Sequence, residues 1–201
     1  MKNINFNYLL IFFLSLFYLW IVFLIVNPNV SEEYRAYYIE RITSDWRPLR
    51  YTAVVSEGFD FSKPGLPSFI RYTAGISYHE SWGRWTDASL KKTVRIIYEE
   101  PFFGDVCVNI MLSPALPQIG RLVVIRFGSN EQQFVTQAGA QWYQLDFRLD
   151  DPTSTLEIEP SVSATPALWD PTNKDLREIS LGLYRLIALP GACKELESSN
   201  L

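Results

Sequence analysis

The sequence predicts an all-β protein, an antiparallel β-sandwich of the jelly-roll or galactose-binding-like type, with an N-terminal transmembrane helix. Three observations predict this fold. The 201-residue chain begins with a long uncharged apolar run. Short segments rich in β-branched and aromatic residues then recur along the rest of the chain. Proline, glycine, asparagine and aspartate separate these segments, which is the turn chemistry of a sandwich.

The apolar run Tyr8–Val26 contains one clearly polar side chain, Ser15. At about 1.5 Å per residue, a helix of this length crosses the roughly 30 Å hydrocarbon core of a bilayer. A cleavable signal peptide has a shorter apolar region, about 7–15 residues, and ends at a small-residue cleavage site. No such site follows Val26, so we expect an uncleaved single-pass anchor over residues 1–27. A cleaved signal peptide and a buried core helix remain as alternatives.

The charges beside the anchor favour a cytoplasmic N-terminus. Lys2 precedes the run, and Glu32 and Glu33 follow it, whereas Arg35 and Arg41 weaken the argument from positive charge. We therefore expect a protein of the inner, cytoplasmic membrane, with its C-terminal domain in the periplasm or outside the cell.

Residues 28–49 are expected to form a juxtamembrane amphipathic helix and a linker. Asn29 and Glu32 have the spacing of a capping box, which predicts a helix start. Apolar and tyrosine residues then follow at helical spacing: Val30, Tyr34, Tyr37, Tyr38 and Ile42. This face could lie on the lipid headgroups or pack on the following domain, and the sequence leaves both alternatives open.

From residue 50 the periodicity becomes that of strands, and we expect the sandwich to span residues 50–191, with a polar tail over 192–201. The predicted strands are 51–55, 69–78, 90–98, 104–112, 121–128, 132–137, 141–149, 154–159 and 179–189. Pro101 and Pro152 are expected to end strands. In strand 121–128, Val123, Ile125 and Phe127 share an apolar face, which we expect to point inward.

Composition excludes several classes of function. The isoelectric point of about 5.1 and the absence of a basic run argue against nucleic acid as a partner. The only histidine, His79, rules out a multi-histidine metal site. Cys107 and Cys193 lie too far apart in sequence for a zinc ribbon; a disulfide between them is allowed outside the cytoplasm and stays open. No catalytic residue, metal or cofactor is predicted.

One segment, Tyr78–Asp87, combines aromatic and charged residues densely. Indole faces stack on sugar rings, and carboxylates and guanidinium groups hydrogen-bond sugar hydroxyls. The predicted carbohydrate ligands are Glu80, Trp82, Arg84, Asp87, Trp142 and Trp169. The alternative is structural: a buried Arg84–Asp87 pair pins a loop, Gly83 permits a turn and Trp85 lies in the core. We expect a buried Trp85, an exposed Trp82, and Arg84 and Asp87 bonded to each other or to backbone.

The segment Gly83-Arg84-Trp85-Thr86-Asp87 is also the most specific part of a resemblance that covers about residues 57–189. Further matching parts are Gly58–Phe69, Arg126–Gly128, Leu156–Pro160, Asp175-x-Arg177 and Ser180–Leu183. The pattern resembles an uncharacterised C-terminal β-sandwich domain of bacterial phosphoglycerol transferases that act on periplasmic glucans; the domain also occurs on some polytopic membrane glycosyltransferases. Ala88 stands where a glycine is expected. The catalytic portion lies outside the likeness, which implies an accessory domain.

The sequence therefore predicts an accessory or carbohydrate-recognition module in envelope glycan metabolism. Its expected partners are membrane lipid, an envelope glycan and a separate polytopic membrane glycosyltransferase or complex. Two alternatives remain: an interaction subunit that does not bind sugar, and a glycan hydrolase using Glu80 and Asp87. Glu157 and Glu159 share one strand face and could be imagined as a glycosidase pair, but they are better interpreted as part of a solvated face.

Overall fold

The structure is a computed structural model that describes residues 6–27, 29–44 and 49–193. The first residues of the predicted anchor, the end of the predicted linker (45–48) and most of the predicted tail (194–201) lie outside the described residues. The helices are α1 (Phe6–Val26) and α2 (Glu32–Tyr34), followed by a π-helical turn, Arg35–Ile39. The strands are β1 (Arg50–Tyr51), β2 (Phe59–Asp60), β3 (Leu66–Pro67), β4 (Ile70–Ala74), β5 (Arg84–Asp87), β6 (Val94–Pro114), β7 (Leu122–Phe127), β8 (Asn130–Val135), β9 (Gln141–Pro160) and β10 (Ile179–Pro190).

Helix α1 contains the whole predicted span, Tyr8–Val26, and is long and apolar enough to cross a membrane. None of the residues in this span is buried against the described part of the protein. The hydroxyl of Ser15 donates a hydrogen bond to the carbonyl of Ile11 at 2.9 Å. Its one clearly polar side chain is therefore satisfied within the helix, as an apolar environment requires.

The segment after α1 begins its helix two residues later than the capping-box spacing predicts. Ser31, and not Asn29, is the N-cap, because its Oγ accepts a hydrogen bond from the Tyr34 amide at 3.3 Å. Ala36 is buried, and the Ile42 carbonyl accepts from the Gly75 amide at 2.7 Å. The segment thus packs on the sandwich, the second of the two alternatives, while Tyr34 keeps an exposed ring.

Eight of the ten described strands form an antiparallel sandwich, as predicted, and β1 and β3 form a separate parallel pair. Strands β6 and β9 each run through both layers of the sandwich. The front sheet consists of β2, β5, β10, residues 104–114 of β6 and residues 141–149 of β9. The back sheet consists of β4, residues 94–98 of β6, residues 153–160 of β9, β7 and β8. The two layers face each other: the ring of Phe127 on β7 lies 6.0 Å from that of Phe147 on β9.

The expectation that Pro101 and Pro152 end strands is wrong. Both lie inside long strands, where the register of the β6–β9 ladder shifts between Ile97 and Gly104. A proline lacks an amide donor and is tolerated where the ladder is already irregular. The paired strands bend there together and pass from the back sheet into the front sheet.

The predicted inward face of β7 is confirmed, since Val123, Ile125 and Phe127 are fully buried. On its outward face Arg126 forms ion pairs with Glu131 and Glu159, and these hydrogen bonds raise the pKa of Arg126. Arg95 likewise pairs with Glu157 at 2.7 Å. Glu157 and Glu159 therefore belong to an outward, ion-paired face of the back sheet.

Cys107 and Cys193 form a disulfide with their Cα atoms 4.8 Å apart. The sequence left this pairing open. The bond fixes residues 191–193 against the front sheet, where the Cys193 amide also donates to Asp146 Oδ1 at 2.6 Å. Cys107, Asp146 and Cys193 are close enough to suggest a metal-binding group within the described chain, but the disulfide engages both sulfur atoms.

Candidate functional site

The Tyr78–Asp87 segment folds as a tight hairpin that leads into β5. The Glu80 amide donates to the Gly83 carbonyl at 2.7 Å, and the Gly83 amide donates back to the Glu80 carbonyl at 3.2 Å. A Cβ atom on Gly83 would lie 2.2 Å from the carbonyl oxygen of Leu183 on β10. Only glycine allows this close approach, so Gly83 positions the hairpin against the front sheet.

Arg84 is buried and cross-links the hairpin to the loop before β3. Its Nε donates to the Phe61 carbonyl at 3.2 Å, and its Nη2 donates to the carbonyls of Lys63 and Gly65 at 3.0 and 2.7 Å. The guanidinium also lies 5.7 Å from the ring centre of Phe59. The expected bonding of Arg84 to backbone is therefore found.

Asp87 is also buried, and its Oδ1 accepts hydrogen bonds from the amide and the hydroxyl of Ser89. Arg84 and Asp87 thus both have partners inside the fold. Direct contact of either side chain with a glycan stays a prediction.

The expectation of a buried Trp85 and an exposed Trp82 is wrong. Both are half-buried, and their rings meet edge to face with centres 5.0 Å apart. Trp82 lies over Gly182 of β10, where a Cβ atom would come within 2.9 Å of the indole ring. The missing side chain at position 182 is the physical reason that Trp82 can lie against the strand.

A cluster of charged residues, Arg177, Glu80 and Asp175, also holds the hairpin. Arg177 forms ion pairs with Glu80 at 3.0 Å and with Asp175 at 2.6 Å. The hydrogen bond from Arg177 lowers the pKa of Asp175, and the same bond raises the pKa of Arg177. Glu80 also accepts from the Trp82 indole N–H at 2.9 Å. The cluster therefore fixes the orientation of Trp82. The Asp175-x-Arg177 pattern was part of the resemblance, but the sequence did not assign it to this site.

The outward side of the front sheet carries further aromatic rings. Tyr184 lies 5.1 Å from Trp82, and the Ser113 hydroxyl donates to the Tyr184 hydroxyl at 3.4 Å. Trp142 is on the same side, since it is paired with Met111 and alternates with the buried Leu145 and Phe147.

We call Trp82, Trp85, Tyr184 and Trp142 the aromatic face. Trp142 on β9 is separated from β10 by two strand spacings, about 10 Å. The structure thus brings two predicted ligands, Trp82 and Trp142, to one face. It adds Tyr184, which sequence reasoning missed because Tyr184 belongs to a bulge of β10 that the strand pattern does not mark. Trp169 is half-buried in the connection between β9 and β10, outside the strands that form the aromatic face.

Comparison with known proteins supplies the family. A model described as a domain of unknown function, DUF7024, matches residues 45–189. The chain belongs to the DUF7024 family. The matched residues include strands β1 to β9 and all of β10 except Pro190.

Two curated relatives of this DUF7024 protein share one name. Phosphoglycerol transferase I of Salmonella arizonae is 28% identical over 138 residues, which cover 69% of this chain and 18% of the transferase. The enzyme of the same name from Salmonella typhi is 27% identical over the same share of both chains. The chain thus spans less than a fifth of the length of these relatives. The resemblance to a domain of phosphoglycerol transferases is confirmed.

Among solved structures, a variant of CBM29-2 from the family 29 carbohydrate binding modules is similar with a TM-score of 0.43 and 12% identity. The match covers 65% of this chain and 82% of that one. A likeness this distant does not bear on what the DUF7024 domain binds.

Proposed function

We propose that this DUF7024 protein is a membrane-anchored, extracytoplasmic accessory module that recognises glycan through its aromatic face. The observation that carries the proposal is the arrangement of Trp82, Tyr184 and Trp142 as half-buried rings on one side of the front sheet. Flat aromatic rings on a rigid sheet offer stacking surfaces for the apolar faces of sugars. Trp142 on β9 lies about two strand spacings from Tyr184 on β10, a separation that suits a ligand of more than one sugar ring.

The fixed orientation of Trp82 supports this proposal. Its indole N–H is held by Glu80, which is held in turn by Arg177, so the ring loses little conformational freedom when a ligand binds. A ring that is already ordered lowers the entropic cost of binding. A hydrolase that uses Glu80 and Asp87 is not favoured, because both carboxylates already have partners inside the fold.

Helix α1 and the disulfide support the proposed location. In this proposal α1 crosses the inner membrane, and the sandwich lies outside the cytoplasm. Disulfides form and persist in oxidising compartments and are rare in the cytoplasm. The Cys107–Cys193 bond is therefore consistent with a periplasmic or extracellular sandwich.

The accessory role rests on the domain that this chain shares with the relatives. The matching segment makes up 18% of phosphoglycerol transferase I of Salmonella arizonae. We infer that it acts beside a separate membrane enzyme that modifies envelope glycan, a polytopic glycosyltransferase being one such partner.

The test is binding of gluco-oligosaccharides to the full chain in lipid nanodiscs. Trp82→Ala and Trp142→Ala should each weaken binding about tenfold, the value of one lost stacking contact in a desolvated site. Phe103→Ala is the matched control, because Phe103 is 65% exposed and lies outside the aromatic face. It should leave binding unchanged.

Unchanged affinity in both tryptophan variants would overturn the assignment of the aromatic face. If no glycan of an envelope-derived panel binds the wild-type chain, the interaction-subunit alternative replaces the proposed function. Location is tested separately with a membrane-impermeant thiol reagent after mild reduction of intact spheroplasts. Cys193, which is only half-buried, should be labelled, and labelling only after lysis would reverse the proposed topology.

A further inference from the structure

A cleft of about 420 Å³ lies between the juxtamembrane segment and the sandwich. One wall comes from the segment that follows α1, and the other comes from the hairpin and the loop before β10. Its wall includes Tyr37, Tyr38, Arg41, Tyr78, Asp87 and Arg177. The volume lies within the usual range for small-ligand sites. The cleft and the aromatic face share no lining residue, so this site is additional to the one described above.

The backbone of the segment wall departs from regular helix at the cleft. Arg35–Ile39 is a π-helical turn, a rare form that occurs often at functional sites. Arg41 follows with a φ of 55°, and among the described residues it is the only non-glycine with a positive φ. Glycine or asparagine usually occupies such a position after a helix. An arginine there costs backbone energy, yet its side chain lines the cleft.

The charges around the cleft are close to balance. Arg177 is neutralised by Asp175 and Glu80, and Asp87 adds a carboxylate to the wall. Arg41 forms no ion pair with any residue that the structure describes. The wall therefore offers guanidinium donors and a carboxylate acceptor without an excess of positive charge that would select an anion.

Aromatic rings complete the wall. Tyr37 and Tyr38 meet with ring centres 4.8 Å apart, and Tyr78 is 60% exposed on the opposite side. Tyrosine combines a flat apolar ring with a hydroxyl that both donates and accepts. Rings of this kind together with a guanidinium and a carboxylate match a ligand that has hydroxyls around an apolar skeleton.

We propose that this cleft binds an uncharged polyhydroxylated group, such as a hexose ring or a polyol. The group could belong to a soluble saccharide or to the headgroup of a glycolipid, since both present the same hydroxyls. Arg41 would hydrogen-bond these hydroxyls together with Asp87 Oδ2, since Ser89 bonds to Oδ1, and Tyr78 would cover the apolar side. This inference goes beyond the proposed function and stands if the aromatic face binds nothing.

The experiment uses the full chain in nanodiscs of phosphatidylcholine, alone or with monoglucosyl diacylglycerol. Soluble glucose and glycerol are added to the phosphatidylcholine discs as the second arm, followed by saturation-transfer NMR. A rise of the thermal midpoint in glucolipid discs identifies the headgroup source, and transfer to soluble glucose or glycerol identifies the free source. Either result supports the proposal. Response to neither, or to inorganic phosphate alone, overturns it.

Arg41→Gly is the decisive variant, because it removes the side chain with its guanidinium while glycine adopts a φ of 55° without strain. It should weaken binding of the glucolipid headgroup or of the soluble ligand at least about tenfold. The thermal midpoint without ligand should stay the same or rise. Tyr78→Ala should weaken this binding as well, and Arg121→Ala, an exposed arginine outside the cleft, should not. An unchanged response in Arg41→Gly and Tyr78→Ala would refute the site. Trp82→Ala should keep the response, which separates failure of this site from failure of the aromatic face.

Discussion

Replacement of Arg84 by alanine is expected to destabilise the sandwich strongly. The guanidinium donates to three backbone carbonyls, and the bonds to Phe61 and Gly65 are fully buried. A buried acceptor left without a donor costs about 1–3 kcal/mol, so two of them cost about 4 kcal/mol. For a chain of this length, each kcal/mol lowers the thermal midpoint by about 2–4 °C. Arg84→Ala should therefore melt roughly 8–16 °C below wild type.

The assay is thermal unfolding of the full chain in detergent, followed by near-ultraviolet circular dichroism. The thermal midpoint of Arg84→Lys should lie between those of wild type and Arg84→Ala, because an ammonium keeps the charge but cannot reach all three carbonyls. Arg126→Ala is the control: it also removes a hydrogen-bonded arginine, but from an exposed ion pair, and its effect should be far smaller. A midpoint for Arg84→Ala as high as that of Arg126→Ala would refute the reasoning.

Three further changes test other parts of the fold. Ile125→Ala should lower the free energy of unfolding by about 2–5 kcal/mol in urea titrations, and Ser129→Ala by less than about 0.5 kcal/mol; equal values would contradict the inward face of β7. Replacing Cys107 and Cys193 together by alanine should cost about 2–5 kcal/mol, and no loss would mean that the bond does not form in the native protein. Because Arg177 lowers the pKa of Asp175, this carboxylate stabilises the fold fully above its usual pKa and loses its effect as the pH falls through the lowered value. Asp175→Asn should therefore melt below wild type at pH 7, and the difference should disappear in strong acid; a difference independent of pH would exclude the ion pair as its cause.

The length of the uncharged apolar run was sufficient to predict α1, and the alternation of residues along the strands was sufficient to predict the sandwich and the buried side of β7. These features depend on patterns within short stretches of the chain. The bends at Pro101 and Pro152 could not be predicted, because a proline that ends a strand and a proline at a bend look the same in sequence. Only the pairing of both strands, far apart in the chain, distinguishes the two cases.

The candidate site was predicted only in part, for a similar reason. Composition and spacing marked Trp82 and Arg84 as unusual, but which ring packs on Gly182 depends on a strand about a hundred residues later. Arg84 was expected to pair with Asp87, or with backbone, and the loop that supplies its three carbonyls carries no sequence signal. Arg177 reaches Glu80 across the same distance in the chain.

The bent ribbon of β6 and β9 has a mechanical consequence. In a sandwich built from separate strands, the layers can slide or open while each stays intact. Here β6 and β9 continue as one paired ladder from the back sheet into the front sheet. The front sheet therefore cannot tilt without twisting this ladder in the back sheet. The rings carried on the front layer are therefore mounted on a stiff frame. A pulling force transmitted through the segment after α1 should therefore move the whole sandwich and leave the distances between the rings of the aromatic face unchanged.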